Sequence, residues 1–242
     1  NHVKIPKKRI DFSGTSAFHR AVQKKLNKDE FDVVYSLSRT FPSDAFRVTE
    51  QIHHVWMDIA YSKTAKLNPR HRSVLQLEKQ VLCPKNTKNI ITNSNLTKNQ
   101  LIEKFNFPED KIHVIYNGLN SEEFYPPANQ EEKINLRTLR NLPDNKKIIL
   151  FAAGNFKIKG FDELLKALSE LKENKKNKIM LLVAGNDKNI EQYREKAQTT
   201  GIESRFDGRI QNMRDYYVIS DIFAYPSLYE PFANVCLEAC AC

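Results

Sequence analysis

The 242 residues carry 38 Lys and Arg against 29 Asp and Glu, a net charge of +9, with ordinary apolar content and four cysteines. That length allows one large domain or two modest ones, and the lack of any run of eighteen apolar residues excludes a membrane-spanning helix. The charge is uneven: residues 1–121 hold 20 Lys and Arg against 11 Asp and Glu, whereas residues 122–242 hold 18 of each.

In the first half, Lys7-Lys8-Arg9 reads as a loop, followed by an amphipathic helix from Phe12 to Leu26. Phe31–Leu37 reads as a strand after a polar turn. The apolar run Phe46–Met57 has no clear period. Pro69–Leu82 has helical spacing with Pro at its start, and Asn89–Ser94 is a short strand. Thr97–Phe105 is a helix capped by Ser94 or Asn95. Lys111–Gly118 is a strand ending in an Asn-Gly turn. Such alternation predicts a parallel sheet with helices on its faces.

Residues 127–145 are polar and read as a connector with a short helix. Lys146–Gly154 is almost continuously apolar, as a strand buried on both faces must be, and leads through the loop Asn155–Gly160 into a helix from Phe161. The pattern repeats with a strand Lys178–Gly185 and a helix Ile190–Thr199, then a strand Arg205–Gly208 and a helix Met213–Ser220. Asp221–Tyr225 is a last strand, closed by Pro226 and Ser227. A further helix starts around Ala233, with Pro231 near its first turn, where the missing N–H costs nothing. Four such βα units predict a nucleotide-binding sheet with its ligand outside the carboxyl ends of the strands. Cys236, Cys240 and Cys242 line the last helix without a nearby His, which fits core packing better than a metal site; so few cysteines suit a reducing compartment.

Two features carry chemistry. Glu230 and Glu238 flank a strand-to-helix turn, and each carboxylate can accept hydrogen bonds from sugar hydroxyls. Between them, the backbone N–H groups of Phe232, Ala233, Asn234 and Val235 open a helix and suit a phosphate. Together they would hold a nucleotide sugar, with the hexose on Glu230, the diphosphate on the amides and the ribose on Glu238. The second feature is the loop Gly154–Gly160. A departing diphosphate gains negative charge that must be held in the transition state; the chain has no Asp-x-Asp motif, so no metal is expected there, and a lysine of this loop can do the same work.

The stretch Glu230-Pro-Phe-Ala, followed by a helix carrying Glu238 before Ala239, resembles the signature of retaining glycosyltransferases of family 4, with Ala233 where that pattern has Gly. Asn68-Pro-Arg-His-Arg with Leu77-Glu78, Ile91–Ser94 and His113–Pro126 resemble the family's acceptor-side domain, most nearly that of lipopolysaccharide-core glucosyltransferases. The family's first strands and Gly-rich first loop have no counterpart in the sequence. The resemblance implies an α/β GT-B fold: two Rossmann-like parallel-sheet domains facing a cleft, here residues 1–121 and 146–242, both incomplete, joined by a connector at 122–145. It implies that Lys159, before the second Gly of the loop, stabilises the leaving diphosphate. Asn155 stands where the family has Arg, and Ile158 where the lipopolysaccharide subgroup has another; Lys157 is the expected substitute. Gly185 and Asn186, and Gly208 with Arg209, fall where similar proteins hold the base, and His53 falls where they direct a His at the donor sugar.

The expected activity is transfer of a hexose from a UDP-hexose to a glycolipid or lipopolysaccharide-core-type acceptor, retaining, without metal or other cofactor. The rival readings are a nucleotide-sugar-binding module without transfer and a GT-B sugar-nucleotide epimerase. The basic first half suits an anionic acceptor or peripheral contact with a membrane surface, hence a cytoplasmic location at the inner face of the cell membrane; a solvated face with no partner is the plainer alternative. Nothing beyond charge favours nucleic acid, since the basic residues are not interleaved with aromatic ones. A chain that opens on Asn1 and stops inside a helix at Cys242 is expected to be part of a longer protein.

Overall fold

A computed structural model describes residues 14–48 and 51–242, and the chain divides into two units, one ending at Asn117 and the other running from Gly118 to Cys242. The first unit holds helix α1 (Gly14–Lys25), strands β1 (Tyr35–Ser36) and β2 (Ser43–Arg47), helices α2 (His53–Ala60) and α3 (Pro69–Val81), strand β3 (Thr87–Thr92), helix α4 (Asn95–Phe105) and strand β4 (Ile112–Val114). The strands pair in parallel in the order β1-β2-β3-β4. Phe46, Leu77, Val81, Ile90 and Leu101 meet in its core. Helix ends follow local chemistry: Asn68 accepts from the Arg70 amide ahead of Pro69, and Ser94, not Asn95, caps α4 by accepting from the Thr97 amide at 3.2 Å. Asn106 closes α4 in the left-handed region at φ 50°.

Three expectations need correction here. The strand read over Phe31–Leu37 pairs only at Tyr35 and Ser36. It lies at a sheet edge with Phe31, Val33 and Leu37 exposed, and the Ser36 hydroxyl donates to the Ser38 carbonyl at 2.7 Å, which turns the chain away. The polar segment Ser43–Arg47 is a strand that period-reading passes over, because its Asp44 faces Lys28 and Lys88 at 3.0 and 2.8 Å while Ser43 and Phe46 are buried. The run Phe46–Met57 is two elements, the end of β2 and the start of α2. Thr49 and Glu50 lie outside the described residues, as do Lys7-Lys8-Arg9 and the start of the helix expected from Phe12.

The second unit holds α5 (Gln130–Leu139), β5 (Lys147–Ala152), α6 (Phe161–Ser169), α7 (Glu173–Lys176), β6 (Ile179–Ala184), α8 (Ile190–Gln198), β7 (Glu203–Gly208), α9 (Met213–Ile219), β8 (Ile222–Phe223) and α10 (Asn234–Ala241). Its parallel sheet has the order β7-β6-β5-β8. Alternate residues of the central strands enter two cores. Ile149, Phe151, Leu181 and Val183 pack with Phe161 and Leu165 on one face, while Ile148, Leu150, Met180 and Leu182 pack with Tyr216, Tyr217 and Ile219 on the other. Burial of both faces explains the unbroken apolar runs.

The segment read as a connector belongs to this unit: α5 packs on α9, with Arg137 donating to the Ile219 carbonyl at 2.8 Å and pairing with Asp221 at 2.7 Å. Pro231 precedes the helix and its cap, Ala233, rather than entering the first turn; the residues before it are tied across to another loop and cannot coil. No helix among the described residues is long and apolar enough to cross a membrane.

Candidate functional site

The second sheet reverses direction between β5 and β8: from β5 the chain moves outward through β6 to β7, then returns to the opposite side of β5 as β8. A crevice opens outside the carboxyl ends of adjacent strands at such a switch point, and this is where open α/β sheets bind ligands. The loops that follow β5 and β8 are the loop 153–160 and the segment 224–233, the same two that carry the candidate residues.

Glycine makes their approach possible. Gly160 sits at φ 76°, and a Cβ there would fall 1.8 Å from the Pro226 carbonyl oxygen. Beside it the Leu228 amide donates to the Ile158 carbonyl at 2.9 Å. The loop is fixed from its other side by Asp187, which accepts from the Phe156 amide at 2.8 Å and from the Asn189 amide at 2.8 Å. Ile158, where the subgroup places an arginine, is buried in this unit, as is Phe156; an apolar side chain there is anchoring the loop.

The consequence is that Lys159 and Glu230, 71 residues apart, meet in an ion pair. Both side chains keep a share of exposure, 17% and 21%. The same Glu230 oxygen accepts from the Tyr225 hydroxyl at 2.9 Å, and the Lys159 ammonium stands 5.6 Å from the centre of the Tyr225 ring. Burial, then the Glu230 carboxylate, push the Tyr225 phenol well above its ordinary range, so it remains a donor. An ammonium has three donors and a carboxylate two oxygens; the pair therefore retains capacity for a diphosphate on one side and a hydroxyl on the other.

Glu238 lies just over one turn into α10 and accepts from the Tyr217 hydroxyl at 2.8 Å. Tyr217 is buried, and burial followed by the Glu238 charge lifts its phenol far above the usual range. Ala233 offers no side-chain cap to α10. Gly154 and Asn155 (φ 50°) begin the loop after β5 and are exposed, as is Lys157. Gly185, at φ 114°, passes so close to Ala153 that a Cβ would lie 1.9 Å from its carbonyl oxygen, and its amide donates to the Gly208 carbonyl at 2.6 Å. Asn186 and Arg209 are exposed just beyond these strand ends. The structure thus joins Lys159 directly to Glu230, and places the other donor-side candidates along the ends of β5, β6, β7 and the start of α10.

His53 belongs to the first unit. The pair His53-His54, in a run whose period gives no assignment, is the first turn of helix α2. Both of their amides donate to the carboxylate of Glu78, at 2.7 and 2.9 Å. Glu78 is 3% exposed and also receives the His54 ring and Arg39 at 2.9 and 3.3 Å. Burial favours its protonation, yet these donors outweigh it and hold the carboxyl below its ordinary value. The His53 ring shares a hydrogen bond with His71 at 3.2 Å and borders a cavity of about 580 Å³ lined also by Arg39, Tyr61, Asn68 and Arg70. Burial first, with Arg39 and His71, lowers its pKa against the opposing charge of Glu78.

Sequence reasoning missed Tyr225, Tyr217, Asp187 and the capping role of Glu78. Aromatic residues in a strand and helix read as core, and a carboxylate 25 residues from the amides it caps gives no local signal.

Comparison with known proteins places the chain. The profile described as Glycosyltransferase Family 4 matches residues 2–123, half of the chain. This chain belongs to glycosyltransferase family 4. A second profile, Glycosyl transferases group 1, matches residues 132–242 of the same family 4 chain. An uncharacterised glycosyltransferase of Methanocaldococcus jannaschii is 35% identical over 156 residues, 63% of this chain and 40% of the relative's length. The crystal structure of WaaG, a glycosyltransferase involved in lipopolysaccharide biosynthesis, superimposes with a TM-score of 0.81 at 17% identity over 98% of this chain and 65% of that one. HepE of Anabaena in complex with UDP-glucose gives 0.62 at 18% identity over 82% and 50%. The expected α/β GT-B class is thereby borne out, with two parallel four-stranded sheets. The chain spans well under half of its Methanocaldococcus relative.

Proposed function

We propose that this family 4 chain forms the donor side and part of the acceptor side of a retaining, metal-independent glycosyltransferase. It moves a hexose from UDP-hexose to a hydroxyl of an anionic glycolipid or lipopolysaccharide-core-type oligosaccharide. The observation that carries the reading is the meeting of Lys159 and Glu230 at the switch point of the second sheet. There Lys159 holds the charge that grows on the leaving diphosphate, with Lys157 and Asn155 beside it on the same loop. The amides of Phe232, Ala233, Asn234 and Val235 at the start of α10 carry the phosphates. Glu230 orients the hexose hydroxyls and Glu238 the ribose. Gly154, Gly185, Asn186 and Arg209 form the rim that meets the nucleoside, and His53 is assigned to the donor sugar.

Support for the donor comes from the fold shared with HepE, a protein solved with UDP-glucose. Support for the acceptor comes from the fold shared with WaaG and from the net positive charge, all of which falls in residues 1–121. That charge also suits peripheral contact with an anionic membrane face on the cytoplasmic side. The test is transfer by the intact protein from labelled UDP-hexoses to truncated lipopolysaccharide cores and to diacylglycerol glycolipids, in EDTA. Product with the donor's anomeric configuration by proton NMR supports the reading. Binding without transfer, conversion of the donor without acceptor, or loss of turnover in EDTA refutes it.

A further inference from the structure

Tyr225 holds one oxygen of Glu230 through its hydroxyl at 2.9 Å while its ring lies 5.6 Å from the Lys159 ammonium. It is the last residue before Pro226, whose carbonyl packs against Gly160. One side chain thus touches both members of the pair and lies at the contact between the loops that carry them. Its hydroxyl and the Lys159 ammonium converge on the same oxygen, Oε2, so rotation of the carboxylate would break two bonds at once, and the Oε1 oxygen is turned to a fixed direction. A half-buried phenol whose pKa is raised by burial and by Glu230 is suited to this, because it donates to the carboxylate without adding charge. Tyr217 stands in the same relation to Glu238.

We propose that Tyr225 is a positioning residue that fixes Glu230 and thereby selects for the hexose of the donor, acting on the sugar rather than on the nucleotide. This rests on the donor reading above. It has a signature that simple packing lacks. Tyr225→Phe removes only the hydroxyl and keeps the ring under Lys159. Loss of one hydrogen bond to a charged group should then weaken UDP-glucose binding roughly tenfold, while binding of UDP, which has no hexose, stays within about twofold. Tyr217→Phe should instead weaken UDP and UDP-glucose alike, because its carboxylate is assigned to the ribose.

The experiment is calorimetric titration of the intact protein with UDP and with UDP-glucose for wild type, Tyr225→Phe, Glu230→Gln and the double variant, together with their melting temperatures without ligand. If Tyr225 acts through Glu230, the phenylalanine substitution costs no further UDP-glucose affinity in the Glu230→Gln background, and the two substitutions are non-additive in the ligand-free melts. Additive effects in both measurements, or equal losses for UDP and UDP-glucose in Tyr225→Phe, overturn the proposal. A wild-type protein that binds neither nucleotide overturns the donor reading as well, and the ligand-free cycle tells that failure apart from a missing Tyr225–Glu230 link.

Discussion

Replacing Gly160 with alanine should be among the most damaging single-methyl changes in the second unit. Its φ of 76° places it in the left-handed region, which costs an L-residue roughly 1–2 kcal/mol. The new Cβ would also lie 1.8 Å from the Pro226 carbonyl oxygen and 2.6 Å from its carbon. Both are backbone atoms that cannot rotate aside, and forced overpacking adds about 1–3 kcal/mol. Gly208 supplies a control, since it shares a positive φ of 69° but has nothing within 4 Å of a Cβ. Gly154 supplies another: its Cβ would meet only the Asn186 carbonyl at an ordinary 3.8 Å. The expected order of destabilisation by urea denaturation is therefore Gly154→Ala near zero, Gly208→Ala about 1–2 kcal/mol, and Gly160→Ala about 3 kcal/mol or more. Because relief of the clash must move the loop away from Pro226, Gly160→Ala should also part Lys159 from Glu230 and abolish nucleotide-sugar binding. A Gly160→Ala protein as stable as Gly154→Ala would refute the packing argument.

Other expectations concern buried charge. Removing Glu78 as Glu78→Ala should cost about 3–5 kcal/mol, since it takes the carboxylate away from Arg39, the His54 ring and the two amides at the start of α2, whereas Glu78→Gln should cost less; equal melts for the two variants would deny the carboxylate its capping role. Burial should keep the His53 ring titrating below the ordinary histidine value, and Glu78→Gln, by removing an opposing charge, should lower it further, as followed by NMR. Asp221 accepts from the Ile148 amide and Arg137; burial opposes ionisation there, but these donors prevail and bring its pKa to about 2. With its folded pKa depressed, Asp221 contributes stability that is full above about pH 4 and is lost as pH falls towards 2, worth roughly 2 kcal/mol. Asp221→Asn should flatten that acid limb of a stability–pH curve, and an unchanged limb would rule the residue out as its source.

What could be read in the sequence followed from how fully each element is buried. The strands β5 and β6 are apolar on both faces and declare themselves, whereas β2, with Asp44 turned to Lys28 and Lys88, gives no strand signal. Helix α3 announces its start with Asn68 and Pro69. Helix α2 takes its cap from Glu78 on another helix, and so its first turn was open to reading as a strand. The site was legible as residue types and as a family resemblance, but not as geometry. Lys159 and Glu230 come together only because Gly160 lets the backbone reach Pro226. Tyr225 and Tyr217 look like core residues until their hydroxyls are seen on the two carboxylates.

The most direct measurement is the turnover of Lys159→Ala in the intact protein with saturating UDP-hexose and acceptor. If the ammonium holds the charge that develops on the leaving diphosphate, kcat should fall by roughly a hundredfold with a much smaller change in KM. Turnover equal to that of the wild type would contradict the assignment.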